Sequence, residues 1–116
     1  MSDIPISNPA ITRIAEYFKV LSEVSRLQIL CSLKTGPKNV TEIIGKTGLG
    51  QANVSKHLKI LTQVGMVIRQ PQGVSVYYDI ADPSIFQLCE IVCKQLSVRL
   101  EEESQYLEAL DAFKVG

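Results

Sequence analysis

Neither sign of charge dominates this chain, cysteine and histidine are scarce, and no uninterrupted apolar run is long. Twelve basic residues balance twelve acidic ones, which argues against a nucleic-acid binder along the whole length. The three cysteines are odd in number and scattered through helix-like sequence. That does not suit the disulfide frame of a secreted mini-protein, so reduced thiols are expected. No apolar run approaches the roughly 18 residues of a membrane helix. The opening MSDIPISNPA lacks the basic segment and apolar stretch of a secretory signal. The expected location is the cytoplasm, with no membrane partner. A chain of 116 residues has room for one ordinary core, so a single domain over 1–116 is expected.

The charge that is present is unevenly placed. From Gly36 to Ile80 the basic residues are Lys38, Lys46, Lys56, Lys59 and Arg69, against Glu42 and Asp79. From 81 onward the balance reverses, with the acidic run Glu101, Glu102, Glu103 at its centre. The middle of the chain is therefore the anion-binding half.

Helix punctuation is legible. Asn8 before Pro9 is an N-cap acceptor followed by a ring whose missing N–H costs nothing in a first turn, which predicts a helix from about Pro9 to Leu21. Ser22 is expected to cap a second helix, with Val24, Leu27 and Cys31 on one stripe and Leu30 beside them, ended by Gly36 and Pro37. Asn39 and Glu42 have capping-box spacing before a short helix, VTEIIGKT. Gly48-Leu49-Gly50 is then a tight connection of the helix-turn-helix kind. The next helix places Val54, Leu58 and Leu61 on its buried stripe and ends at Gly65. From Met66 the period changes to two, and Pro71-Gln72-Gly73 is expected to turn a hairpin. After Asp82-Pro83 comes a long helix whose Ile85, Cys89, Val92 and Leu96 make a near-heptad seam, which wants a partner helix. Beyond Leu100, EEES leaves open whether that helix continues to about Phe113 or a separate one follows.

These elements describe a mainly α chain with a small β-hairpin, a winged helix-turn-helix. The helix-turn-helix spans about 40–64 and the wing about 66–80. In such a fold the second helix of the pair enters the DNA major groove. Gln51, Asn53, Ser55, Lys56 and His57 lie off the apolar stripe and are expected to be exposed. Gln and Asn suit adenine edges, and Ser and Lys suit bases or phosphates. Arg69, Gln72 and Ser75 of the hairpin are placed to meet the neighbouring backbone or minor groove. Lys59 joins the DNA-facing set. A plain helical interaction domain without DNA is the reading from another class, and it leaves the hairpin and the charge asymmetry unexplained. An enzyme is not expected: there is one histidine, and a Cys31/His57 pair would require His57 to leave its exposed face.

VSKHLKILTQVGMV followed by QGVSVYYDIADPSIF, with SEVSRLQIL before them, resembles the DNA-binding core of ArsR/SmtB-type repressors over roughly residues 10 to 98. The resemblance implies a homodimeric repressor on double-stranded DNA with an inverted repeat, paired through its first and last helices, about 9–21 and 83–112. Gly50 departs from the family's usual serine, which weakens the cap of the reading helix.

The family's metal-sensing patterns are mostly absent. VTEIIG has no cysteine or histidine where the thiol-rich motif would fall. Of the other common set only Asp82 remains, with Ser84, Gln95 and Val98 near the other ligand positions. No cofactor and no metal are expected. RLQILC resembles the second helix of thiol-switch members, which implies oxidant or persulfide sensing through Cys31 and a last-helix thiol. The alignment puts that second position near Ser97, one turn beyond Cys93. Cys89 and Cys93, at i and i+4, should have Cβ atoms about 5 to 6 Å apart, which disfavours a disulfide and suits chelation. Three readings stay open: a thiol switch through Cys31 and Cys93, a thiophilic metal or metalloid such as arsenite on Cys31, Cys89 and Cys93, and cysteines that serve only as core.

Overall fold

The computed structural model describes residues 8–111, which fall into two compact units divided between Asp82 and Pro83. The stretch MSDIPIS, the expected helix end at 112, and Phe113 lie outside the described residues. The first unit is built from α1 (Pro9–Leu21), α2 (Val24–Ser32), a 3-10 turn (Leu33–Thr35), α3 (Val40–Thr47), α4 (Gln51–Gln63), β1 (Val67–Gln72) and β2 (Ser75–Ile80); α5 (Ser84–Asp111) is the second. The architecture is mainly helical with a two-stranded antiparallel hairpin, a winged helix-turn-helix. No helix among the described residues is long and apolar enough to cross a membrane.

Local chemistry sets most boundaries. The Asn8 side chain accepts from the Ala10 N–H at 2.8 Å and Pro9 fills the first turn, so α1 starts there. At α3 both halves of the capping box form: Asn39 Oδ1 accepts from Glu42 N–H at 2.8 Å, and Glu42 Oε1 accepts from Asn39 N–H at 3.2 Å. Ser22 does something other than expected. Its hydroxyl donates to the Lys19 carbonyl at 2.6 Å, closing α1, while Glu23 is the N-cap of α2 without a side-chain bond. Gly48 ends α3 at φ 73°, a left-handed conformation that glycine adopts without the Cβ clash.

The core of this unit is Ile29, Leu30 and Leu33 from α2 and its following turn, Ile43 from α3, Val54, Leu58 and Leu61 from α4, and Met66 and Val67 leading into β1. The stripe expected for α2 is therefore rotated. Val24 and Cys31 are exposed and Leu27 is half-buried, whereas Ile29, Leu30 and Leu33 are buried. Arg26 precedes these three by three, four and seven positions, and its charge disguises the stripe to which it belongs.

The hairpin register runs from Val67↔Ile80 to Gln72↔Ser75, so the turn is Gly73-Val74 and not the expected Pro71-Gln72-Gly73. Gly73 has φ 63°, the positive value tight hairpin turns require, and Pro71 sits in β1 opposite Val76. That position is tolerable because β1 is an edge strand. β2 has a second neighbour: Lys38 exchanges two backbone bonds with Tyr78, at 3.0 and 2.8 Å, anchoring the wing beside the start of α3.

In the second unit α5 is one continuous helix of 28 residues. Glu and Ser at 101–104 do not break it, since neither residue type prevents helix formation as Pro does.

Candidate nucleic-acid interface

α4 buries Val54, Leu58 and Leu61 at one-hundredth exposure or less. That fixes the opposite face outward and exposes Gln51, Ala52, Asn53, Ser55, Lys56 and Lys59. Gln51 and Asn53 stand at the amino-terminal end of the helix, where Gly50 is the N-cap and no side chain satisfies the first N–H groups. Farther along, α4 meets the wing. A cleft of about 210 Å³ is lined by Ser55, Lys59, Thr62 and Gln63 of α4, Arg69 of β1 and Tyr78 of β2. It gathers Ser55, Lys59 and Arg69, whereas Gln72 and Ser75 pair at the hairpin tip. Among the described residues no carboxylate pairs with Lys56, Lys59 or Arg69. Sequence reasoning missed Gln63, whose spacing of four from Lys59 and eight from Ser55 puts it on the same face.

His57 is a correction. It is buried, with its side chain 4% exposed, because it occupies the i+3 position of the Val54/Leu58/Leu61 stripe. Its ring is satisfied inside the protein. Arg26 Nε–H donates to His57 Nδ1 at 3.3 Å, and His57 Nε2 lies 3.6 Å from Glu23 Oε1. Arg26 also pairs through Nη2 with Glu23 Oε2 at 3.3 Å and donates through Nη1 to the Val20 carbonyl at 3.2 Å. His57 is thus not part of the exposed face.

None of the three cysteines is in a disulfide; Cys31 and Cys93 are exposed and Cys89 is half-buried. The reading of Cys31 as core fails with the rotation of α2. It instead lines a cleft of about 340 Å³ with Gln28 and Ser32 of the same helix and Lys46 and Thr47 of α3. Cys89 and Cys93 stand one turn apart on α5. Among the described residues no group of three or more His, Cys, Asp or Glu side chains gathers as a metal site would require.

A helix-turn-helix whose second helix turns a polar face outward, backed by a wing carrying the exposed Arg69, defines a winged helix-turn-helix DNA-binding protein. Comparison with known proteins narrows this class. Residues 23–69 match the family described as bacterial regulatory protein, arsR family. The chain is 33% identical over 107 residues to the uncharacterized HTH-type transcriptional regulator Rv0081 of Mycobacterium tuberculosis, covering 91% of this chain and 94% of that one. The crystal structure of Rv0081 superposes with a TM-score of 0.76 at 31% identity, over 84% of this chain and 99% of that chain. The HTH-type transcriptional regulator NmtR of the same organism is 33% identical over 86 residues, covering 74% of this chain and 72% of NmtR. The solution structure of Mb0332 from Mycobacterium bovis, described as a homodimeric winged helix-turn-helix DNA-binding domain, matches with a TM-score of 0.71 at 29% identity, over 88% of this chain and 95% of that chain. The chain belongs to the ArsR family of bacterial regulatory proteins. It is a DNA-binding transcriptional regulator and not an enzyme.

Proposed function

We propose that this regulator is a homodimeric repressor that reads an inverted-repeat DNA duplex with the outer face of α4. Gln51 and Asn53 read base edges, Ser55 and Lys56 reach bases or the adjoining backbone, and Lys59 and Arg69 hold a phosphate at the cleft between α4 and the wing. Gln72 and Ser75 meet the backbone or minor groove from the hairpin tip. The observation that carries this reading is the set of cations Lys56, Lys59 and Arg69, exposed beside a polar helix face and without a carboxylate partner among the described residues. Such charge is what a polyanion neutralises. Pairing through the first and last helices is supported by apolar side chains left exposed on each: Ile14 and Phe18 on α1, and Val92 and Leu96 on α5. Pairing of two chains as such is supported by Mb0332, which is described as homodimeric. Fluorescence anisotropy on a duplex selected from random sequence tests the reading: two chains per duplex and a steep loss of affinity with salt are expected. One chain per duplex, or no selected duplex at low salt, would refute it.

We infer further that DNA release follows oxidation of Cys31 together with Cys93. In that step two thiols give two electrons and two protons to hydrogen peroxide, forming a disulfide and two waters. Support comes from Cys31 standing exposed in the cleft it shares with Lys46 and Thr47, where an oxidant can reach its sulfur. The second reading, a thiophilic ion such as arsenite, has one observation in its favour: Cys89 and Cys93 one turn apart on α5. Mass spectrometry after oxidant, persulfide donor or arsenite, with DNA binding measured in parallel, separates them. Cys31→Ser and Cys93→Ser should stay bound after oxidant while Cys89→Ser responds like wild type; equal release of all four proteins would overturn the switch.

A further inference from the structure

The hydrophobic stripe of α4 fixes which face turns inward, but apolar burial is non-directional and does not by itself choose an angular setting for the exposed side chains. A directional tie is present on the same stripe. The guanidinium of Arg26 uses three nitrogens on three different partners: Nε on the His57 ring of α4, Nη1 on the Val20 carbonyl in the last turn of α1, and Nη2 on Glu23 at the head of α2. Because His57 Nδ1 accepts from Arg26, the ring proton sits on Nε2, the nitrogen turned toward Glu23. The planar fork of arginine suits this triple attachment, and lysine's single ammonium does not reproduce it. Val20 and Leu21 are the α1 residues packed against the core, while Ile11, Ile14, Tyr17 and Phe18 remain exposed. Arg26 therefore joins the helix left free for a partner to the helix that carries Asn53 and Lys56.

We propose that Arg26 and His57 are positioning residues for the reading helix: their bond sets the angle at which α4 presents its outer face, and the Val20 carbonyl carries the position of α1 to it. The proposal rests on the reading of α4 as the DNA-contacting helix. Neither side chain touches DNA in this arrangement, so their loss acts on discrimination between sequences and leaves phosphate contacts in place.

The test compares affinity for a selected duplex with affinity for a scrambled duplex of the same length, across a salt series. His57→Leu keeps an apolar group in the buried position and removes the acceptor. The ratio of selected to scrambled affinity should fall about tenfold, the equivalent of about 1.4 kcal/mol, with the salt slope unchanged. His57→Asn, which places an acceptor near the Nδ1 position, should recover part of that ratio. If His57→Leu does not fold, Arg26→Lys carries the same comparison, retaining charge and losing the fork. A folded His57→Leu or Arg26→Lys with the wild-type ratio would overturn the proposal and reduce the network to packing. A wild-type protein that does not discriminate between the duplexes would instead overturn the assignment of α4.

Discussion

Replacing Lys59 by alanine removes one cation from the cleft between α4 and the wing without disturbing the core, since Lys59 is exposed and has no carboxylate partner among the described residues. Such a surface change should alter stability by no more than about 0.5 kcal/mol. Its effect on DNA is larger and follows from counterion release. Each phosphate contact contributes about 0.9 to the slope of log affinity against log salt. A dimer carries two copies of Lys59, so the slope should shrink by about 1.8. Over the fourfold change from 50 to 200 mM salt, the gap between wild type and variant should then narrow about twelvefold. Arg69→Ala should behave alike, because it lines the same cleft. Fluorescence anisotropy on selected and scrambled duplexes, at five or six salt concentrations, gives the slopes directly. A variant whose affinity falls at every salt concentration with no change in slope would refute the reasoning, as would weakening confined to the selected duplex.

Leu58, 1% exposed at the centre of the α4 stripe, should cost about 2–5 kcal/mol when cut to alanine, measured by urea unfolding; a loss under 1 kcal/mol would mean that α4 is not seated as described. The two glycines of the helix-turn-helix connection should respond oppositely. Gly48 at φ 73° should lose about 1–2 kcal/mol on change to alanine. Gly50, with an extended backbone and open space at its Cβ, should gain a few tenths of a kcal/mol as serine from the added cap. Thermal melts of both variants check the pair, and a destabilised Gly50→Ser would contradict the cap geometry.

What the sequence made legible was local. Asn8-Pro9 and the Asn39/Glu42 box mark helix starts because the chemistry of a cap is contained within four residues. The alternation from Val74 to Ile80 disclosed the second strand, although the turn fell two residues later than the Pro-Gly pattern suggested. The two errors of helix face have one physical source. Arg26 and His57 lie on buried stripes, and each is tolerated there because it satisfies the other across α2 and α4. Read singly, both look like surface residues, and a pairing between positions 31 residues apart leaves no periodic trace. The stripe expected through Val24, Leu27 and Cys31 passes Arg26 by, so α2 is rotated and Cys31 lies outside; His57, expected on the outer face, is buried. Ser22 was ambiguous for a simpler reason, since a serine between two helices can close one or open the next.

The central claim, that the outward face of α4 reads DNA in a two-fold arrangement, is tested most directly by the sequences that wild type and Asn53→Ala each enrich from a random duplex library. Wild type should enrich an inverted repeat with half-sites about one helical turn apart. Asn53→Ala should enrich the same repeat with base preference lost at one symmetry-related pair of positions. Identical preferences from the two proteins, or a wild-type site without two-fold symmetry, would contradict the account.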